Sequence, residues 1–408
     1  MSSVIHNPDQ YMVDLRQILA QGRKRIGLLI GAGAPLSIRD DNDKPLIPDV
    51  AGLTEQVLKK FNNEDKKIFE LIKPDLSDKP NIEEILSKIS AMSDVLGSNA
   101  IADISGEKFK CLAKKICDEI GEVVKAELPL GPSPYTELVS WIGGTNRSHA
   151  IEIFTPNYDL LFEDAFERAL FPYFDGFTGA KNAFFDPSTI SNNDLPPRWT
   201  RLWKLHGSIG WALDANNSFI RTGDSNTSEL IYPEHRKYDR TQKLPYTALF
   251  DRLKNFLLTP DSLLMTCGFS FFDSHIHTVI QESLISNPAA SVFAFQHNDL
   301  ENESYVSSLA NKIPNLSVYA RNSAIINCIP GKWQCGKLPN KEWKTIRSTY
   351  WGNLKGDAKQ GFLLGSFDHF AKFFALSKAN KITQAWDKVV AEQGIDEEPI
   401  ADNDEEGK

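Results

Sequence analysis

The chain has 408 residues, of which 41% are hydrophobic and 24% charged, and a formal charge of −9. That length suits two domains, or one large core with an elaborate insertion, in an ordinary soluble globular protein. Eight acids and one lysine at residues 392–408 account for −7 of the charge, so the rest is nearly neutral and has no concentrated basic stripe of the kind a dedicated nucleic-acid binder carries.

No apolar run reaches the length of a membrane-spanning helix, and the polar N-terminus lacks the apolar core of a signal peptide. Five scattered cysteines (Cys111, Cys117, Cys267, Cys328 and Cys335) form no C-x-x-C pair. The expectation is a cytoplasmic protein with reduced thiols, no structural zinc, no membrane contact and no direct nucleic-acid binding.

In chain order, residues 9–24 predict a helix with Tyr11, Leu15, Ile18 and Leu19 on one face. The run Ile26–Ile30 then reads as a buried strand entering the glycine turn Gly31-Ala32-Gly33-Ala34-Pro35. Such a turn brings backbone N–H groups close to a phosphate. Leu36 stands where a dinucleotide fingerprint wants Gly or Ala, and no Gly-Lys-Ser/Thr follows, so a Walker loop is excluded and a structural glycine turn remains open.

Helical periodicity fills 51–61, 82–96 and 107–127, punctuated by Lys73-Pro74 and Lys79-Pro80, and predicts a helical module inserted at about 37–150. Next comes IEIFTPNYD at 151–159, a short buried strand ending in a polar elbow, then helical spacing of Leu161, Phe162, Ala165, Phe166 and Ala169. Asn157 and Asp159 therefore fall at a strand-to-helix junction, where open α/β sheets bind ligands. Asn157 would equally suit a helix cap.

Leu202–Ser208 is a further strand with the elbow His206-Gly207-Ser208, and residues 212–245 read as loops with a short hairpin. Leu263–Cys267 leads to Gly268-Phe269-Ser270, Val292–Phe295 leads to Asn298, and Leu316–Tyr319 is a fifth candidate strand. Strands alternating with helices predict an α/β fold, a Rossmann-like parallel sheet with helices on both faces. Residues 331–391 form an aromatic-rich extension in which Phe370, Phe373 and Phe374 share one helix face, a core-like stripe. The tail at 392–408 reads as disordered.

The ordered elbows GAGAP (31–35), TPNYD (155–159), LHGS (205–208) and GFS (268–270) resemble the sirtuin family over roughly residues 25–320. The resemblance implies NAD bound across the strand ends of a domain spanning 1–330. Gly31, Ala32, Gly33 and Ala34 would lie at the phosphates. Asn157 and Asp159, with Thr155 in the same elbow, would face the nicotinamide ribose. His206 would be the catalytic imidazole, Gly268, Phe269 and Ser270 would hold the adenosine side, and Asn298 would match a residue at the adenine ribose.

Protein-deacylating relatives carry two C-x-x-C pairs after the His-Gly elbow and an Ile-Pro-Asp-Phe-Arg segment. Here the pairs are missing, and Val50 and Ala51 follow Ile47-Pro48-Asp49. This pattern is similar to NAD-hydrolysing sirtuin-like effectors of bacterial anti-phage systems, of the kind working beside a HerA-like ATPase. It implies NAD depletion by a homo-oligomer, with deacylation, ADP-ribosyl transfer or a non-catalytic sensing scaffold as alternatives.

The residues suit that chemistry. Nicotinamide leaves NAD as a neutral ring, so the site must hold the ribose, support a cationic transition state and supply a nucleophile. Asn157 offers both donor and acceptor, and a histidine at position 206 can take a proton from water or a ribose hydroxyl. His275 and His277, two apart on a helix, make a poor metal pair and read as surface or packing residues. Cys111 and Cys117 read as small core residues, and Asp49 as a residue that would reach the site or merely solubilise its loop.

Overall fold

The computed structural model describes residues 4–40, 42–192, 195–216, 218–222, 244–338, 343–354 and 359–377. The tail at 392–408 and the polar stretch 223–243 lie outside these residues. A ten-stranded sheet organises the molecule. Its strands are β1 (Ile5–His6), β2 (Arg25–Ile30), β3 (Glu152–Thr155), β4 (Tyr173–Phe174), β5 (Thr200–Lys204), β6 (Ser262–Cys267), β7 (Ser291–Phe295), β8 (Leu316–Tyr319), β9 (Ser323–Ile326) and β10 (Ile329–Trp333). Their spatial order is β1-β10-β9-β8-β7-β6-β2-β3-β5-β4.

From β8 through β4 every neighbouring pair is parallel. The strand path leaves β2 in one direction to β3 and β5 and returns on its other side at β6. The crevice beyond the ends of β2, β3 and β6 is thus the switch point at which such sheets bind ligands.

The strands read as apolar runs because both faces are covered. Along β2, Ile26, Leu28 and Ile30 enter one hydrophobic cluster while Leu29 enters the other. Gly27 lies under a ring: a Cβ there would sit 2.7 Å from Phe256. One face is covered by α1 (Pro8–Gln21), α6 (Pro134–Gly143) and α7 (Leu161–Arg168), the other by α8 (Tyr246–Leu258) and α9 (Ser274–Ser286). This is the expected α/β Rossmann-like architecture.

One end of the sheet departs from a purely parallel reading. β8–β9 and β9–β10 are antiparallel. Only three residues separate the first pair and two the second, too few for the crossover that parallel pairing needs. Asn327 and Cys328 take φ of 51° and 62°, as a two-residue hairpin of this hand requires.

Between β2 and β3 the chain builds α2 (Val50–Lys59), α3 (Asn63–Ile72), α4 (Ile82–Leu96), α5 (Gly106–Val124) and α6. Asn62 and Asn81 cap α3 and α4 through their side chains. Beyond β10, the helix at 367–377 buries Phe367, Phe370, Phe373 and Phe374 in the cluster that holds Ile26 and Leu28. The aromatic stripe is core, so those rings offer no free docking surface. Asp9 ties this extension to α1, accepting from Arg347 Nε at 2.8 Å, Tyr350 Oη at 2.8 Å and the Gly336 amide at 2.8 Å.

On the α8 face, Glu152 accepts from Trp203 Nε1 at 2.8 Å and from Arg252 Nε at 2.7 Å and Nη2, a buried pair. Two expectations about cysteine need correction. Cys111 is exposed, because its position on α5 falls away from the face that carries Phe109, Leu112, Ile116 and Ile120, while Cys117 is half-buried and packs at the edge of the core rather than within it. Among the described residues no helix is long and apolar enough to cross a membrane, and no group of three His, Cys, Asp or Glu side chains is placed to hold a metal ion.

Candidate active site

A cavity of about 1090 Å³ opens at the switch point. This is just above the ~300–1,000 Å³ range of small-molecule sites, with room for a dinucleotide. Ala32, Asn157, Asp159, His206, Gly268, Phe269 and Ser270 all line it. Gly31, Gly33, Ala34, Thr155 and Asn298 do not, although the first four support residues that do. Asn298 is exposed and donates to Glu303 Oε1 at 2.9 Å.

The glycine turn packs against a second turn. The Gly33 amide donates to Gly268 O at 2.9 Å, and Gly268 itself takes φ +66°. A Cβ on Gly31 would lie 2.4 Å from Gly268 O, and one on Gly33 2.7 Å from Gly268 Cα. Glycine is thus required here for backbone contact between the ends of β2 and β6. Gly33→Ala is expected to force the turns apart, costing about 1–3 kcal/mol as an overpacked contact does. Urea unfolding checks it, and a midpoint equal to that of the parent protein would contradict it.

Asn157 does not cap the following helix. Its Nδ2 donates to Gly31 O at 3.1 Å, which pins the elbow after β3 to the turn after β2. Its amide N–H donates to Thr155 Oγ1 at 3.1 Å, and its side chain also hydrogen-bonds Asp159. Asp159 supplies the helix-start contact, accepting from the Leu161 amide at 3.1 Å. Burial raises the Asp159 carboxyl above the ordinary range, against the lowering pull of Lys204.

Beneath the cavity floor, Lys204 of β5 donates to Asp159 O and lies 3.1 Å from Oε1 of the half-buried Glu163, whose Oε2 is shielded from solvent. Burial raises Glu163 to about 7 in spite of that lysine. A carboxyl protonated more readily when folded stabilises the fold fully below its unfolded pKa, and this contribution is lost as pH rises toward 7. Glu163→Gln should therefore flatten the fall in stability between pH 5 and pH 7.5, by about 1–3 kcal/mol across that range. Parallel slopes for parent and variant in urea titrations at the two pH values would contradict this.

His206 follows β5 and is 5% exposed. Its Nε2 lies 2.9 Å from Asp273 Oδ2, an ion-pair distance whose direction is not aligned as a hydrogen bond. The ring centroids of Tyr158 and Phe250 lie 6.5 and 6.2 Å away. Asp273 caps α9, its Oδ1 accepting from the His275 and Ile276 amides at 3.0 and 3.1 Å, which fixes the carboxylate beside the imidazole. Just before it, Phe271 holds φ +62°, a conformation an aromatic residue rarely adopts, and its carbonyl faces His277 Nδ1 at 2.9 Å.

Asp273 is the main site residue that sequence reasoning misses. Its signal is an N-cap acid three residues after the GFS elbow, ahead of Ser274-His275-Ile276. His275 lines the cavity, beyond the surface or packing role expected for it, because α9 begins at the cavity rim. His277 packs against the Phe271 carbonyl as a structural residue. Asp49 caps α2, accepting from the Gly52 amide at 2.8 Å, while its neighbours Pro48 and Val50 line the cavity.

The helical insertion supplies the opposite wall, through Asp75, Asn81, Glu83, Glu84, Ser87 and Lys88. Asp75 pairs with Lys88 at 2.7 Å, and Glu84 accepts from the Ser77 amide and hydroxyl. Glu83, Asp159 and Asp273 also border the space. An acidic wall favours a cationic ring or a developing positive charge.

Residues 151–315 match the SIR2-like domain family. The matched segment contains the elbows at 155–159, 205–208 and 268–270, and it supports a sirtuin-like family for this chain. SIR2-like domains use NAD as substrate. None of the curated proteins matches the chain.

Proposed function

We propose that the chain is an NAD glycohydrolase that cleaves NAD to nicotinamide and ADP-ribose. The observation that carries this reading is that His206, with Asp273 at 2.9 Å, and Asn157, all three within the SIR2-like segment, line one dinucleotide-sized cavity. Asn157 and Asp159 hold the nicotinamide ribose, and Ala32 and Gly268–Ser270 border the remainder of NAD. Asp273 favours the tautomer with its proton on Nε2 of His206. That leaves Nδ1 to accept a proton from water or a ribose hydroxyl, and the neighbouring carboxylate then stabilises the imidazolium. Glu83, Asp159 and Asp273 offset the positive charge that grows on the sugar as nicotinamide departs.

In the fuller reading the chain depletes NAD in anti-phage defence, as a homo-oligomer beside a HerA-like ATPase and without zinc. That part rests on the resemblance of the elbows and on the absence of cysteine pairs from the sequence. Incubating the purified chain with NAD and an acetyl-lysine peptide, and separating the products, tests the activity. Equal release of nicotinamide and ADP-ribose with the peptide untouched supports hydrolysis. Transfer of the acetyl group to ADP-ribose would establish the deacylase instead.

A further inference from the structure

A second cavity, of about 650 Å³, lies at the other end of the sheet, where β3 and β5 begin. It is separated from the first by the length of the four-residue β3, roughly 13 Å at strand rise. Arg147, His149, Arg198 and Thr200 contribute polar groups to its lining, and Phe171 and Ile151 contribute apolar ones. No carboxylate among the described residues lines it. The run Arg23-Lys24-Arg25 starts beside it, since the Ser148 amide donates to Gly22 O at 3.0 Å.

Arg147 is the centre of this basic end. Its Nη2 donates to Leu19 O at 3.1 Å and its guanidinium stacks on Trp141 at 4.7 Å. Nε and Nη1 are buried without a hydrogen-bond partner among the described residues. Burial lowers its pKa to about 10, and no acid offsets that shift. His149 is likewise held below its ordinary value, by burial and by Arg25. A desolvated cation without a counter-charge is expensive, and an anion relieves that cost.

Thr200 supplies a second mark of a ligand. It is 1% exposed, and its hydroxyl also lacks a partner among the described residues. The wall is firmly built, because Arg201 donates to Leu195 O at 2.8 Å, to Pro196 O at 3.1 Å and to Trp199 O, fixing the loop that carries Arg198.

We propose that this cavity binds a small phosphate monoester, its phosphate held by Arg147, Arg198 and the Thr200 hydroxyl and its apolar part resting against Phe171 and Ile151. Guanidinium groups suit phosphate because their paired N–H donors match its oxygens.

Isothermal titration of the full chain with AMP, adenosine and inorganic phosphate at low salt tests the site. AMP should bind at a site that Arg198→Ser weakens at least tenfold and Thr200→Val about threefold, with adenosine failing to occupy it. Arg198 is exposed and Thr200→Val nearly conserves shape, so both variants keep the fold, which a thermal melt verifies. Absence of AMP binding to the parent chain would overturn the proposal. So would AMP binding that both variants leave intact, since AMP would then occupy the larger cavity alone.

Discussion

Replacing His206 with alanine is expected to lower nicotinamide release about a hundred- to ten-thousandfold, the usual worth of a positioned acid–base group. The fold should survive, because the Asp273 Oδ1 contacts that start α9 do not involve the imidazole. Asp273→Asn keeps an oxygen for that cap but removes the charge beside His206, so it should slow cleavage tenfold or more without melting α9. Asn157→Ala removes the bond to Gly31 O and one to Asp159, at about 1 kcal/mol for each net hydrogen bond. It too should abolish cleavage. Because these groups act as one unit, the His206 and Asn157 double variant should be scarcely slower than either single variant. Steady-state assays on protein of verified fold check all four, and near-normal turnover by His206→Ala would remove the imidazole from the mechanism.

The largest stability effect is expected at Glu152. Alanine there leaves Arg252 buried and unpaired and strands the Trp203 indole N–H, for a loss of about 3–5 kcal/mol. Glu152 faces α8, away from the cavity, so cleavage per folded molecule should stay near the parental rate at temperatures where the variant is folded. Denaturant titration measures the loss. A change under about 1 kcal/mol, the size of a solvated pair's contribution, would show that the fold can dispense with the carboxylate.

The strands at 26–30, 263–267 and 292–295 are legible in the sequence because burial on both faces writes them as unbroken apolar runs between glycine and polar punctuation. The helix of 82–96 is equally plain from its period and from Asn81 ahead of it. What sequence spacing does not encode is which face of that helix meets which strand end. Asn81, Glu83, Glu84 and Lys88 therefore emerge as cavity residues only from the docking of α4 over the sheet.

Asn157 is legible as an elbow residue, yet its bond to Gly31 spans 126 positions and sets its role. Lys204 is visible as a charge inside an apolar strand, but its partners Asp159 and Glu163 come from another elbow and another helix. Asp273 looks like an ordinary cap, and it is one. Its second oxygen comes within 2.9 Å of His206 Nε2 only because β5 and β6 end on either side of the same crevice.

The most direct test of this mechanism combines binding and chemistry in one protein. NAD would be titrated against folded His206→Ala, and nicotinamide release would then be followed in a single turnover at saturating protein, beside the parent chain. The variant should bind NAD within a few-fold of the parent and release nicotinamide at least a hundredfold more slowly. Equal single-turnover rates at matched occupancy would contradict the mechanism, because the cavity would then cleave NAD without the residue around which it is built.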